Sequence, residues 1–118
     1  MPRHDPQMLK GVLGLLLLSA LSAGDEYGYG LVVRLRESGV DDLAEGTVYP
    51  GLTRLESAGF LESYLLPSRS GPARKYYRIT EAGMAELADR RAAWERLTRA
   101  VTSAVTPEAD TTTPRSTS

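Results

Sequence analysis

Apolar positions along the 118 residues change their period several times, and each change marks an element. Leu15, Leu16, Leu17 and Leu18 are consecutive, so at 100° per residue they cover most of a helix circumference. A helix over about Pro6–Ser22 is predicted, and it needs two covers: its own core and a second chain. A second helix is predicted over Tyr27–Ser38, with Tyr29, Val32, Val33 and Leu35 on one side and Arg34, Arg36 and Glu37 on the other. Gly24-Asp25-Glu26 supplies a turn and acidic lead-in, and Gly39 a stop. In EGTVYPGLTRLESAGFLE, Val48, Leu52, Leu55 and Gly59 recur at helical spacing, so these positions are expected on the core face of a third helix. Thr47 is the expected N-cap, which places Pro50 at the third helical position, where no intrahelical N–H is required.

FLESYLLP and RKYYRIT are rich in aromatic and branched residues and flank SRSGPA. That pattern predicts a β-hairpin with a flexible tip. Thr80 is the expected cap of a last helix running to about Ala104, with Gly83 where a capping box would hold Glu or Gln. Met84, Leu87, Trp94, Leu97 and Val101 form its apolar stripe. TPEADTTTPRSTS has the composition of a disordered tail. The fold class expected is α+β, mostly α: a winged helix-turn-helix over residues 6–80 including the N-terminal helix, a C-terminal dimerisation helix over 81–105, and a tail over 106–118.

Composition narrows the chemistry. Cysteine is absent and His4 is the one histidine, expected in a frayed terminus, so thiol catalysis, cysteine-bound zinc and histidine-based metal sites are not expected. No nucleophile–base pair is spaced for catalysis, so neither an enzyme nor a cofactor site is expected. The start mimics a secretory signal, with a basic beginning, an apolar run from Gly11 and Ala20-Leu21-Ser22-Ala23, but Asp5 and Pro6 interrupt the basic region. The uninterrupted apolar length also falls short of the roughly 20 residues of a membrane span. A cytoplasmic protein is expected.

With net charge −1, a nucleic-acid signal must be local. Opposite the core face of the third helix lie Pro50, Thr53, Arg54 and Ser57, flanked by Thr47 and Tyr49: short side chains, one cation and one phenol. A slim helix start of that kind suits a major groove, although a solvated face would also carry small residues. The hairpin separates the two readings. Between Ser63 and Thr80 stand Arg69, Arg74, Lys75 and Arg78 with no acid, alongside Tyr64, Tyr76 and Tyr77. A solvated hairpin more often mixes signs, so phosphate contact is the favoured reading.

GVLGLLLLSALS, YGYGLVVRL, EGTVYPGLTRLESAGFLES and GPARKYYRITEAG together resemble the PadR family of bacterial transcriptional regulators. The resemblance runs from about Leu9 to Val101, and the single last helix is similar to that of the family's short subgroup. It implies a dimeric DNA-binding repressor whose third helix reads the major groove, with Thr47, Tyr49, Pro50 and Arg54 facing the groove and Arg74, Lys75 and Tyr76 as wing contacts. It also implies dimerisation through the first and last helices, with Leu13, Leu16, Leu17, Met84, Leu87, Trp94, Leu97 and Val101 at the interface. In some members of the family a flat hydrophobic effector lies between those helices; Trp94 could stack on one, but plain interface packing is the favoured reading of that residue. Two positions depart from the family pattern: Ala44 where a serine cap is common, and Gly30 where a charged residue is usual.

The function expected is therefore a homodimeric regulator, most simply a repressor, on an inverted-repeat operator of double-stranded DNA. The alternative is a winged-helix module that binds protein without DNA, whose wing would have no use for unpaired cations.

Overall fold

The computed structural model describes residues 4–107. Its elements are α1 (Pro6–Ser22), β1 (Glu26–Tyr27), α2 (Gly28–Glu37), α3 (Glu45–Ser57), β2 (Leu61–Leu66), β3 (Arg74–Ile79) and α4 (Glu81–Val105). The strands form one antiparallel sheet in the order β1-β3-β2. The expected tail, from residue 108 onward, lies outside the described residues.

Asp5 and Pro6, which interrupt the signal-like start, are what begin α1. The Asp5 carboxylate accepts from the backbone N–H of Gln7 (2.8 Å) and Met8 (3.2 Å), and Pro6 takes the first helical position, where its missing N–H costs nothing. The leucine run is the central helix of the fold: Leu13, Leu17, Leu18 and Leu21 are buried, Leu15 and Leu16 half-buried. Leu13 and Leu17, expected at a dimer interface, are instead core residues of the single chain. His4, expected to fray, is held at the turn between α2 and α3. Its backbone N–H donates to Asp42 (3.1 Å), and its ring Nε2 lies 2.9 Å from the Gly39 carbonyl.

The second helix begins one residue later than its pattern predicts, because Glu26 and Tyr27 form an edge strand opposite Tyr77 and Tyr76. Leu31, Val32 and Leu35 are its core contribution, while Tyr29, expected inward, is exposed. Gly30 leaves room for the Glu26 side chain: a Cβ there would meet its carboxyl carbon at 2.5 Å. Glu26 bonds Arg34 at 3.0 Å, and Arg34 also donates to the Ala20 carbonyl at 2.6 Å, tying α1, β1 and α2 together.

α3 starts at Glu45, earlier than expected, on an Ala44 cap without side-chain help. Thr47 therefore lies in the first turn, and Pro50 sits inside the helix rather than at its third position. Pro50 cannot return an N–H to the Gly46 carbonyl, a defect that costs up to about 3 kcal/mol in a helix interior. Both residues are exposed, so solvent reaches that carbonyl. Val48, Leu52 and Leu55 are buried as expected, but Gly59 is exposed; at φ 85° it turns the chain out of the helix. Gly51 has a role of its own on the buried side. A Cβ there would lie 2.9 Å from Leu13 Cδ2 and 3.1 Å from Leu17 Cδ1, so α1 crosses α3 at this residue.

Leu61, Tyr77 and Ile79 line the inner face of the sheet against the helices. Thr80 caps α4 as its pattern predicts. Its hydroxyl accepts from the Gly83 N–H (3.0 Å) and donates to the Gly59 carbonyl (2.7 Å), while its own N–H donates to the Phe60 carbonyl (3.0 Å). Leu87 joins the core. From Arg91 onward every residue of α4 is exposed, so this half of the helix has little cover within the chain. The molecule is correspondingly elongated, 68 × 34 × 20 Å.

Candidate nucleic-acid interface

The burial of Val48, Gly51, Leu52 and Leu55 turns the opposite arc of α3 outward. Gly46, Pro50, Thr53 and Ser57 occupy its centre, all exposed. Arg54 and the half-buried Thr47 lie on one flank and Tyr49 on the other. Tyr49 has two jobs. Its ring covers Gly28 at the start of α2, where a Cβ would meet ring Cζ at 2.8 Å and the phenol oxygen at 2.9 Å; the ring is still 40% exposed. That explains the glycine between two tyrosines, which the sequence pattern alone did not. Burial against α2, then the Glu45 carboxylate, push the phenol above its ordinary value of 10.0, so it stays a hydrogen-bond donor.

The alternation of the hairpin divides the expected wing contacts between two faces. Arg74, Tyr76 and Arg78 share the outer face with Tyr27, Tyr64 and Glu62, while Lys75 lies on the inner one. On the outer face Tyr76 stacks on Tyr64 (5.9 Å) and meets Tyr27 at a tilt (5.4 Å), with Arg74 4.7 Å above Tyr27 and Arg78 4.7 Å above Tyr64. Tyr76 is thus packed into an aromatic row rather than standing free. Tyr64 donates to Asp25 at 2.6 Å, a bond that raises the phenol's pKa. On the inner side Glu56 of α3 accepts from Ser63 (2.6 Å) and faces Lys75 (3.7 Å), fixing the hairpin to the helix.

The wing cations are less free than a charge count implies. Lys75 pairs with Glu56, and Arg78 with Asp25 (3.5 Å) and Glu62 (3.6 Å), whereas Arg69 and Arg74 make no ion pair among the described residues. The paired side chains are substantially exposed, so the pairs contribute little to stability. Arg69 and Arg74 also flank a cleft of about 280 Å³ at the wing tip, lined by Leu66, Pro67, Ser68, Ser70 and Tyr76 as well. In the sequence Arg69 counts only as one of four hairpin cations. Only the return of the hairpin puts it beside Arg74.

The second uncovered surface is apolar. Trp94 (45% exposed), Leu97 (57%), Val101 and Val105 recur along the free half of α4. With Val12, Leu15 and Leu16 of α1, the first three border an open groove of about 890 Å³. Leu16 thus keeps an outward surface, as does the exposed Met84, but Leu87, expected in the same stripe, is buried in the core.

Three helices closed by a three-stranded sheet, with the third helix bare on one side and a two-stranded wing beside it, make this a winged-helix protein. The chain belongs to the PadR-like family of transcriptional regulators, whose family model matches residues 17–89. A transcriptional regulator of Mycobacterium tuberculosis is 36% identical over 92 residues, spanning 78% of this chain and 84% of that protein. The crystal structure of a PadR-like transcriptional regulator from Bacillus cereus aligns with TM-score 0.76 at 36% identity, over 86% of this chain and 99% of that one. A PadR-family regulator from Eggerthella lenta aligns at TM-score 0.77 and 35% identity, over 86% and 88%. These relatives are transcriptional regulators, not enzymes. Among the described residues no helix is long and apolar enough to cross a membrane.

Proposed function

We propose that the chain is a homodimeric repressor that binds an inverted-repeat operator, each protomer laying α3 in a major groove. The observation that carries this reading is the outward arc of α3. Gly46, Pro50, Thr53 and Ser57 are uncharged, small and uncovered, with Arg54 and the Tyr49 phenol as donors at the edges. Such a surface enters a groove without collision. Arg69 and Arg74 at the wing tip, with Lys75, hold the phosphate backbone.

Dimerisation follows from α4. A helix whose second half is exposed along its length is marginal in water, and a stripe of Trp94, Leu97, Val101 and Val105 needs an apolar cover. The same stripe and the α1 groove of a second copy supply it across a two-fold axis, aligning two recognition helices with a palindromic site. Trp94 packs in this interface. The groove beside it has the size of a small-molecule site, and a flat hydrophobic effector bound there would shift the two protomers and release DNA.

Fluorescence anisotropy with duplexes tiled across the DNA upstream of the chain's own gene tests the reading. One duplex should bind at least a thousandfold more tightly than random DNA at physiological salt. Uniform weak binding to all of them would refute it and leave a protein-binding winged helix. Quenching of Trp94 fluorescence by planar aromatic compounds, abolished together with their effect on DNA by Trp94→Ala, tests the effector.

A further inference from the structure

The centre of the α3 arc is poor in hydrogen-bond donors. Pro50 has no N–H, Gly46 has no side chain, and the Thr53 hydroxyl donates its one hydrogen to the Tyr49 carbonyl of its own helix at 3.1 Å. What remains outward at its middle is the Pro50 ring and the Thr53 methyl, both exposed, with the Ser57 hydroxyl one turn further on and the Tyr49 phenol at the edge. The other ways of reading a base edge are scarce on this helix. It carries no Asn or Gln for adenine, and Arg54 is its one cation for guanine. Of its two acids, Glu56 is occupied by Ser63 and Lys75, and Glu45 stands at the helix start toward the buried side of the arc. The apolar group that a base pair offers in the major groove is the thymine methyl.

We infer that α3 selects its site by apposing the Pro50 ring and the Thr53 methyl to thymine methyl groups, with Arg54 directed at a guanine on their flank. This inference rests on the DNA reading above and names the base chemistry it uses. The proline inside the helix then has a purpose. It replaces a backbone donor with a flat apolar surface at the point where the helix meets the groove.

The experiment begins with duplexes selected by the full-length chain from a random-sequence library. In the tightest one, each thymine is replaced in turn by deoxyuridine, which removes the methyl and keeps the pairing. One or two positions per half-site should lose about fourfold in affinity, the effect of one methyl group returned to water. Thr53→Val, which keeps a methyl and loses the hydroxyl, should bind within about twofold of the parent. Thr53→Ser and Pro50→Ala should each abolish the preference for thymine over deoxyuridine at one position. Pro50→Ala restores a helix N–H and should fold, which its melting curve checks. Deoxyuridine duplexes that all bind like their parent overturn the inference, and so does a tenfold loss in Thr53→Val, which would make the hydroxyl the reader. A library that yields no bound duplex overturns the DNA reading itself, and this inference with it.

Discussion

Gly83→Ala reverses the usual effect of such a change, for a reason visible at the α4 start. In a helix, alanine is favoured over glycine by about 1 kcal/mol. Here a Cβ would lie 2.7 Å from Ile79 Cγ1 and 3.1 Å from the Phe60 carbonyl carbon, and closer still to the Phe60 oxygen. Neither partner of that last contact can rotate away. The Cβ direction is set by the helix, and the oxygen is held by the Thr80 N–H at 3.0 Å. Relief requires the first turn of α4 to withdraw, which strains the Thr80 cap bonds at 2.7 and 3.0 Å. Losing a cap costs about 1 kcal/mol, and overpacking a fixed site about 1–3. After the propensity gain, the net is a loss of about 1–3 kcal/mol, or on the order of 5–10 °C in melting temperature for a chain of this size. The control is Gly46→Ala, also in the first turn of a helix, where nothing lies within 4 Å of a Cβ. It should melt no lower than the parent. Thermal melts by circular dichroism without DNA decide. A Gly83→Ala chain as stable as the parent would refute the claim that this close approach sets where α4 leaves the body.

Arg74→Ala with Lys75→Ala should weaken binding to all DNA and make the plot of log K against log salt shallower by about 0.9 for each phosphate that is no longer neutralised. Arg54→Ala should lower operator affinity by about 1–3 kcal/mol with random DNA little changed, whereas an equal loss on both would make Arg54 a phosphate contact. Leu97→Asp with Val101→Asp should yield a folded monomer in sedimentation, because neither side chain is in the core; Leu87→Ala should cost about 2–5 kcal/mol of stability whatever the assembly. Tyr49 and Tyr64 both titrate higher in the fold than the free phenol value of 10.0, so their contribution is complete below pH 10 and fades above it. Tyr49→Phe should flatten the alkaline loss of stability, read from denaturant midpoints across pH.

Local chemistry was enough for the elements that carry their own signals. Thr80 marks a helix start through backbone groups within three residues, and the aromatic runs around SRSGPA mark a hairpin. The outward arc of α3 was legible too, because burying Val48, Leu52 and Leu55 leaves only one side free. Tertiary structure decided what depended on partners distant in the chain. β1 is too short to have a period and exists through β3. Gly28, Gly51 and Gly83 are glycine because Tyr49, α1 and Phe60 press against them. The leucines of α1 were divided between core and surface by where α3 crosses. In the same way, Lys75 and Arg78 lost their apparent freedom to Glu56, Asp25 and Glu62, acids that stand outside the hairpin tip in sequence. Period and capping report what a residue does to its own few neighbours; which face is covered, and which charge is answered, follows from how the elements meet.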